Sequence, residues 1–325
     1  MTAGRPTGRT LVIQPLPGIG DTIWHLPHLK AIARAAPEGR IALLTKPRSL
    51  ADGLLAAEPA VDQVLWLHRN KGEHDGLAGF FRLTALIREG GFARVWVLHD
   101  SARYAQVAWA AGIPERHGFG LAAQRLFLNR PPFLPRELAK AHPIDKATRL
   151  LELKGLDLRE ADRTLAVAPE ALADVNAAYG DVPAPWIALG LGSSETFKQW
   201  GAENFAALAA ALIQKGASPL LLGGPAERQM AEKVAQAAPG AHNAASLPID
   251  QTAALLSSCR LYVGNDTGVL NMAAAVGTDG IGLFGGSPPL AYSPHIHALT
   301  PQDSGAGMAG ITVDQVLAAI AAQGL

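Results

Sequence analysis

The sequence predicts an α/β protein built from two Rossmann-like domains with parallel sheets. Strand-like apolar runs alternate with helical patterns through most of the chain, and the strands are apolar nearly throughout, as expected when helices cover both faces of a sheet. A chain of 325 residues is long for a single hydrophobic core. The pattern also restarts after the proline-rich segment 180–185. We therefore expect an N-terminal domain over residues 1–180 and a C-terminal domain over residues 181–325, facing a cleft.

In the first half, apolar runs predict strands at residues 10–15, 40–45, 63–67 and 94–98. The patterns between them predict helices at residues 22–35, 49–57, 77–89 and 101–111. Residues 112–136 are rich in proline and glycine and predict an irregular insertion. Two more helices are expected before the linker, at residues 143–154 and 169–179.

In the second half, strands are predicted at residues 186–191, 219–222, 261–263 and 281–284. Helices are predicted at residues 204–215, 226–238, 250–258 and 268–276, with a last helix at 313–323. In doubly wound sheets, ligands bind beyond the carboxyl ends of the strands, where loops meet helix N-termini. The first residues after each strand are therefore the places where functional side chains are expected.

Composition excludes several classes of protein. The chain is 49% hydrophobic and 17% charged, which argues against disorder. Its single cysteine, Cys259, excludes an intramolecular disulfide and a multi-cysteine zinc site and fits a reducing compartment. The first residues lack the apolar segment of a signal peptide, and no apolar run approaches the ~18–20 residues that span a bilayer. We expect a cytoplasmic protein.

The net charge is zero, but the charges are unevenly distributed. Residues 1–160 carry 22 Lys and Arg against 15 Asp and Glu, an excess of +7, and the remaining residues carry 6 against 13, an excess of −7. Such asymmetry favours an anionic partner for the basic half. Drift in surface composition is the alternative.

The loop after the first strand contains Gly18 and Gly20, which allow a tight turn and close approach of the backbone to a ligand. Asp21 follows them and opens a helix. It is either a catalytic carboxylate at the centre of the cleft or a helix-capping residue. The glycine spacing differs from the G-x-G-x-x-G fingerprint, so a nicotinamide enzyme is not indicated.

The loop after the strand at 186–191 contains Ser193, Ser194 and Lys198. Hydroxyl and backbone N–H groups can surround phosphate oxygens, and the lysine supplies a positive charge. The order of residues is not that of a Walker A motif. A surface turn with a solvated lysine is the alternative.

The residues Asp266, Thr267 and Gly268 lie between a strand and an apolar helix. This arrangement directs free N–H groups and the helix dipole at an anion, although an Asx-type turn that caps the helix also accounts for it. Glu227 follows two glycines after another strand and could accept hydrogen bonds from ribose hydroxyls. Electrostatic capping of its helix is the equally good explanation.

Taken in order, these loops resemble those of glycosyltransferase family 9, the family of the bacterial lipopolysaccharide heptosyltransferases, which have the two-domain GT-B fold. The resemblance covers almost the full length, and its motifs lie at residues 20–29, 113–119, 142–156, 193–200, 223–227, 264–276 and 283–285. It implies an inverting, metal-independent transfer of a sugar, a heptose, from an ADP-linked donor. The implied acceptor is a lipopolysaccharide core or related glycan, and no cofactor is implied beside the nucleotide sugar.

By this resemblance, Asp21 is the catalytic base that takes the proton of the acceptor hydroxyl. Donor contacts are implied for the diphosphate (Ser193, Ser194, Lys198), the ribose (Glu227), the adenine (Leu247) and the pyrophosphate turn (Asp266, Thr267, Gly268). The chain has Asn271 where the family commonly has a histidine, and asparagine can donate a hydrogen bond but cannot carry a charge. This departure leaves the identity of the donor sugar open.

The basic first half fits an anionic glycan or glycolipid acceptor at the inner membrane surface, and no nucleic acid is expected as a partner. Candidate acceptor contacts are Arg48, Arg69, Lys71, Arg103, Arg116 and Arg125. Two alternatives to a transferase remain at this point. One is a GT-B sugar-nucleotide epimerase, and the other is a non-catalytic nucleotide-sugar-binding protein.

Overall fold

The computed structural model describes residues 8–193, 195–289 and 292–324, apart from the side chain of Ser304. The chain forms two compact units that divide between Thr164 and Leu165. Each unit contains one parallel β-sheet with helices packed on it. The predicted α/β class is confirmed, whereas the predicted cleft between the domains stays a prediction.

The N-terminal unit has a five-stranded sheet of order β3-β2-β1-β4-β5, parallel throughout. Its order reverses direction after β3, so right-handed crossovers place α3 and α4 together on one face and α1 on the other. Side chains from β1, β2 and β4 meet α3 and α4 in one buried core, whereas α1 packs against α5. The strands are β1 (Arg9–Ile13), β2 (Ile41–Thr45), β3 (Val61–Trp66), β4 (Phe92–Val97) and β5 (Glu115–Gly118). The helices are α1 (Ile19–Ala35), α2 (Ala51–Leu54), α3 (Gly76–Glu89), α4 (Ala102–Ala110) and α5 (Pro143–Leu153).

The C-terminal unit has a six-stranded parallel sheet of order β11-β10-β9-β6-β7-β8. Its strands are β6 (Trp186–Gly190), β7 (Ser218–Leu222), β8 (His242–Asn243), β9 (Leu261–Asn265), β10 (Gly280–Leu283) and β11 (Ile296–Leu299). Its helices are α6 (Pro169–Tyr179), α7 (Ala202–Gln214), α8 (Arg228–Ala237), α9 (Ile249–Ser258), α10 (Gly268–Ala275) and α11 (Val313–Ala322). Among the helices that the structure describes, none is both long and apolar enough to cross a membrane.

The sheet edges differ from the prediction. The expected irregular insertion at 112–136 contains β5, a strand of sequence Glu-Arg-His-Gly that pairs with β4. Its polar sequence carries no apolar signal, and Arg94 of β4 pairs with Glu115 of β5 at 2.8 Å. The edge strands β8 and β11 were also missed, because β8 has only two residues and β11 alternates weakly.

The expected domain boundary after residue 180 is wrong. Helix α6 belongs to the C-terminal unit, where it packs against α9. The backbone N–H of Leu165 donates to the carbonyl of Ala275 at 2.8 Å, and Gln251 donates to the Asp174 carboxylate at 2.9 Å. The segment 180–185 therefore leads from α6 into β6 of the same unit. The charge excess of the N-terminal unit is unchanged, because moving the boundary from residue 160 to Thr164 adds only Asp162 and Arg163 to the charged residues.

An ion pair with a buried carboxylate joins the last turn of the N-terminal unit to α1. Arg34 donates from Nη2 to Asp162 Oδ2 at 2.9 Å and also contacts Oδ1 through Nη1. The Asp162 side chain is only 8% exposed. It accepts a further hydrogen bond from the Arg159 N–H at 2.9 Å. Burial disfavours the carboxylate, but these donors outweigh it and lower the pKa of Asp162.

We predict that Asp162→Asn lowers the free energy of unfolding of the N-terminal unit by about 1–3 kcal/mol at pH 7, since Arg34 loses its partner. A carboxylate whose pKa is lowered by folding stabilises the fold above its unfolded pKa. The difference between variant and wild type should therefore shrink below about pH 4. Urea unfolding across pH measures it. Glu160→Gln, in the same turn but exposed, is the control and should change little; an equal effect of both variants would contradict the buried pair.

Candidate functional site

Asp21 lies in the first turn of α1, after the loop that follows β1. Its Oδ2 accepts the backbone N–H of Gly18, the N-cap residue of α1, at 2.9 Å, so Asp21 caps the helix from its third position and is not itself the N-cap residue. A Cβ added to Gly18 would lie 2.8 Å from the same oxygen, so the carboxylate is seated directly over the glycine. Gly20 lies within α1 itself. Capping uses one carboxylate oxygen, and the second oxygen of the group is chemically available for a proton.

Two buried histidines lie below Asp21 on α1 and were not predicted. His25 Nδ1 lies 2.7 Å from the carbonyl oxygen of Asp21, so this nitrogen carries the proton and donates. His28 Nε2 lies 2.9 Å from the hydroxyl of Thr148 on α5. Burial lowers the pKa of both imidazoles. Both are therefore neutral at pH 7, and their polar contacts help to hold the start of α1. The only sequence signal was two histidines at helical spacing on the buried face.

The candidate acceptor-binding arginines are largely engaged within the N-terminal unit. Arg69 pairs with Asp75 at 3.0 Å. Arg103 and Arg116 donate to backbone carbonyls, and Arg125 lies over the ring of Phe133. These contacts fix the positions of the guanidinium groups, and only that of Arg69 involves a carboxylate.

In the C-terminal unit, one asparagine joins the loops that follow β6 and β9. Asn265, the last residue of β9, is fully buried. Its Oδ1 accepts the Trp200 N–H at 3.1 Å, and its Nδ2 donates to the carbonyls of Leu191 and Gly192 at 2.9 and 3.2 Å. These bonds close both ends of the loop that contains Lys198. Sequence reasoning missed Asn265 as a functional residue because its role depends on β6 and β9 being neighbours.

Lys198 lies at the centre of a charged cluster. Its Nζ is 3.1 Å from Asp266 Oδ2 and 3.0 Å from Glu195 Oε2. The Ser287 hydroxyl donates to the same Asp266 oxygen at 2.6 Å. Partial burial disfavours the ammonium, but the two carboxylates outweigh it and raise the pKa of Lys198. With only 18% of its side chain exposed, Lys198 is not the solvated lysine of a surface turn.

The N-terminus of α10 opens beside this cluster. Thr267 occupies the N-cap position, yet within the described part of the chain its side chain makes no capping hydrogen bond. The Asp266 carboxylate is directed to Lys198 and Ser287, so the alternative of an Asx-type cap is not what the structure has. The first-turn N–H groups, which begin at Gly268, face the loop without a side-chain acceptor from this turn. Asn271 is buried in the same turn.

A buried tyrosine supports the floor of the cluster. Tyr262 is fully buried in β9, and Thr267 lies beside its hydroxyl. A Cβ added to Gly190 would come within 1.9 Å of that hydroxyl, and one added to Gly264 within 2.4 Å. Two strands therefore need glycine here because the tyrosine ring fills the space above them. Burial raises the pKa of Tyr262, which keeps the phenol neutral.

The remaining predicted donor residues line the neighbouring loops. Glu227 accepts the Gly224 N–H at 2.8 Å, as the capping interpretation expects, and its side chain also lies against Gly192. Leu247 is half-buried and follows Ser246, whose N–H donates to the carbonyl of Gly223 at 2.8 Å. The Ser193 hydroxyl accepts the Glu195 N–H at 3.2 Å and holds its own turn. Ser194 lies outside the described residues.

These loops meet at the carboxyl ends of β6, β7 and β9, around a cation and an open helix N-terminus. Across the described ranges, no group of three or more His, Cys, Asp and Glu side chains could hold a metal ion. Two units that each contain a parallel sheet are typical of the GT-B fold, and the cation and helix N-terminus of the C-terminal unit are suited to an anion.

The chain belongs to glycosyltransferase family 9 (heptosyltransferase), whose family model matches residues 80–304. It is 24% identical over 237 residues to lipopolysaccharide heptosyltransferase 2 of Salmonella typhimurium, a match that spans 66% of each chain. It is 26% identical to lipooligosaccharide heptosyltransferase 2 of Haemophilus influenzae, over 74% of this chain and 73% of that one.

Solved structures share the fold over nearly the whole chain. A glycosyltransferase family 9 protein from Veillonella parvula matches at a TM-score of 0.81 and 23% identity, covering 98% of this chain and 97% of that one. An Escherichia coli heptosyltransferase with ADP-2-deoxy-2-fluoro heptose matches at 0.73 and 17%, covering 96% and 98%. The UDP-GlcNAc 2-epimerase from Methanocaldococcus jannaschii matches at 0.56 and 13%, covering 96% and 91%. The fold is therefore shared by transferases and an epimerase.

We predict that Asn265→Ala lowers the free energy of unfolding of the C-terminal unit by about 2–4 kcal/mol, because it leaves the Trp200 N–H and two carbonyls unpaired in a buried site. Chemical denaturation measures the loss. Asn204→Ala, which removes a single hydrogen bond to the Trp200 carbonyl at 2.8 Å, is the matched control. Its expected cost is about 1 kcal/mol. If the two substitutions cost the same, Asn265 does not carry the loop junction.

Proposed function

We propose that the chain is an inverting glycosyltransferase that moves a sugar, a heptose, from an ADP-linked donor to a lipopolysaccharide core or related glycan. The observation that carries this proposal is the position of Lys198, a partly buried cation held beside the uncapped N-terminus of α10. A lysine and a helix N-terminus together are suited to a diphosphate. Family membership and the ADP-sugar bound by a structural relative support the same reading.

In the proposed reaction, the diphosphate lies between Lys198 and the first turn of α10. Lys198 offsets the negative charge that grows on the leaving ADP as the bond between donor C1 and the diphosphate oxygen breaks. Thr267 and Gly268 contribute backbone N–H groups, Ser193 and the buried Asn271 contribute polar side chains, and Ser194 is proposed as a further contact to the diphosphate. Glu227 accepts hydrogen bonds from the ribose, and Leu247 packs beside the adenine.

Asp21 is the proposed general base. Its carboxylate takes the proton of the acceptor hydroxyl while the hydroxyl oxygen attacks donor C1 from the side opposite the leaving group, which inverts that centre. The hydrogen bond from the Gly18 N–H holds Oδ2 of Asp21 in place and thereby orients the whole carboxylate. The other oxygen, Oδ1, is the proposed proton acceptor. The His25 contact to the Asp21 carbonyl fixes the helix turn on which the carboxylate sits.

The acceptor is proposed to be anionic, since the N-terminal unit carries the +7 excess of charge. The proposed location is the cytoplasm, at the inner face of the membrane. The donor is proposed as the sole small-molecule requirement, without metal or other cofactor, and transfer should persist in the presence of a chelator.

We predict that Lys198→Ala weakens ADP binding about 10–100-fold and slows transfer, since a charge-assisted contact to the diphosphate is worth about 1.5–3 kcal/mol. Because the pKa of Lys198 is raised above the ordinary lysine value of about 10.4, ADP affinity in the wild type should stay constant from neutral pH to about pH 10, where an ordinary lysine has begun to lose its proton. Calorimetric titration measures both. Lys215→Ala, at the far end of α7, is the control; equal affinities for both variants would remove Lys198 from the donor site.

We predict that Asp21→Asn lowers kcat about 10²–10⁴-fold while leaving ADP affinity unchanged, because amide nitrogen and oxygen preserve shape but cannot take a proton. Asp52→Asn, an exposed carboxylate in the first turn of α2, is the control for charge removal. A variant at Asp21 that kept most of its activity would exclude the base role. Conversion of the donor sugar in the absence of any acceptor would instead identify an epimerase.

A further inference from the structure

One outer face of the N-terminal unit is formed by α3, α4 and the turn Ala122–Leu126, and we call it the α3–α4 layer. Arg103 Nη2 of α4 donates to the carbonyl of Gly76 at 2.8 Å, and Arg88 Nη2 of α3 donates to the carbonyl of Ala110 at 2.7 Å. The two helices therefore run side by side along their whole length. The turn packs against α4, where the ring centroid of Trp109 lies 5.9 Å from that of Phe127, the residue after the turn.

The outward side of this layer is unusually apolar. Leu77 is 81% exposed and Phe81 68% exposed, one helical turn apart on α3. Trp109 on α4 is 57% exposed, and Leu126 in the turn is 81% exposed. The other exposed large hydrophobic residues in the described part of the chain are Leu50 and Phe197, so four of the six lie on this layer. Single exposed apolar side chains are ordinary, but a concentration of large ones on one face indicates a contact surface.

The same layer is strongly basic. Helices α3 and α4 and the turn Ala122–Leu126 contain four arginines and one acidic residue, Glu89, and a fifth arginine, Arg130, follows the turn. Arg82, Arg88 and Arg103 donate to backbone carbonyls, and Arg125 lies over the Phe133 ring. Such partners hold a guanidinium in position without neutralising its charge. Arg130 differs, since it pairs with Glu115 at 2.7 Å.

We propose that the α3–α4 layer docks on a bilayer of anionic phospholipids. Trp, Phe and Leu side chains enter the interfacial region of a bilayer, while arginines beside them contact lipid phosphates. A second copy of the same layer fits poorly, because it would place arginines opposite arginines. The inference deepens the proposed function by naming the surface from which a glycolipid acceptor would be reached, yet it does not depend on transfer activity.

Flotation of the full chain with vesicles tests the docking surface directly, without donor or acceptor. Binding to vesicles that contain phosphatidylglycerol should exceed binding to pure phosphatidylcholine at least ~10-fold, since each basic residue near an anionic surface adds about 1 kcal/mol. It should fall as salt is added. The double variant Leu77→Ser, Phe81→Ser should bind at least ~10-fold more weakly, because two apolar side chains no longer enter the interface. Arg82→Gln, Arg88→Gln should lose the preference for phosphatidylglycerol.

Leu50→Asn is the matched control, an exposed leucine of the same unit outside the layer, and it should bind vesicles like the wild type. Thermal unfolding shows whether each variant is folded: Leu77 and Phe81 are exposed, whereas each arginine variant loses a hydrogen bond to a backbone carbonyl. Equal binding to both kinds of vesicle, no binding, or full binding by the α3 double variant would overturn the proposal. So would a wild-type dimer that these substitutions convert to a monomer. The transferase assay with a water-soluble acceptor fragment tests the proposed function separately.

Discussion

The three hydrogen bonds of the Asn265 side chain are the constraint on which the rest of the C-terminal site depends. A loop that follows a strand has many conformations, and fixing it costs conformational entropy at every residue. In the loop that contains Lys198, the hydrogen bonds of Asn265 offset this entropic cost at two points, the strand end at Leu191 and the loop end at Trp200. Trp200 is fixed in turn, since its indole N–H donates to the carbonyl of Ile311 and its ring packs edge-on against Phe205. Lys198 is therefore presented from a short segment with anchored ends.

The buried side chains below the Lys198 loop support the cluster of charged side chains that this loop carries. Tyr262 fills the space over Gly190 and Gly264, so these two strand ends have no room for a side chain. Lys198, Glu195, Asp266 and Ser287 are consequently held within hydrogen-bonding distance. In the N-terminal unit, the corresponding support for Asp21 is polar as well as apolar. The fully buried, neutral imidazole of His25 donates to the Asp21 carbonyl in the first turn of α1.

The regular part of this architecture was predictable because buried parallel strands and their crossover helices have strong periodic signals. Strands β1, β2, β6 and β9 and helices α6 and α10 were found within a few residues. The edge strands β5 and β8 were not, since one is polar and the other has two residues. The domain boundary was misplaced because proline content marked a break in the chain, whereas packing of α6 on α9 decides which unit that helix joins.

The candidate site also divides into residues that the sequence could predict and residues that it could not. Lys198, Asp266 and Gly268 could be proposed because each follows a strand, and local sequence reveals that position. Asn265, Ser287 and Tyr262 act through partners on other strands, and only the sheet order β10-β9-β6 brings them together. For Glu227 and Asp21 the sequence left capping and function as rival explanations, and the structure has the capping bonds in both.

The carboxylates around Lys198 have a consequence for ligand exchange. Lys198 already has two carboxylate counterions within the protein, so an anion that bound there would exchange one set of anionic partners for another. In the proposed function, a diphosphate would have to displace Glu195 and Asp266 from the ammonium, and a monoanion of low charge density would have little advantage over these carboxylates. The internal counterions would then favour the donor over abundant simple anions.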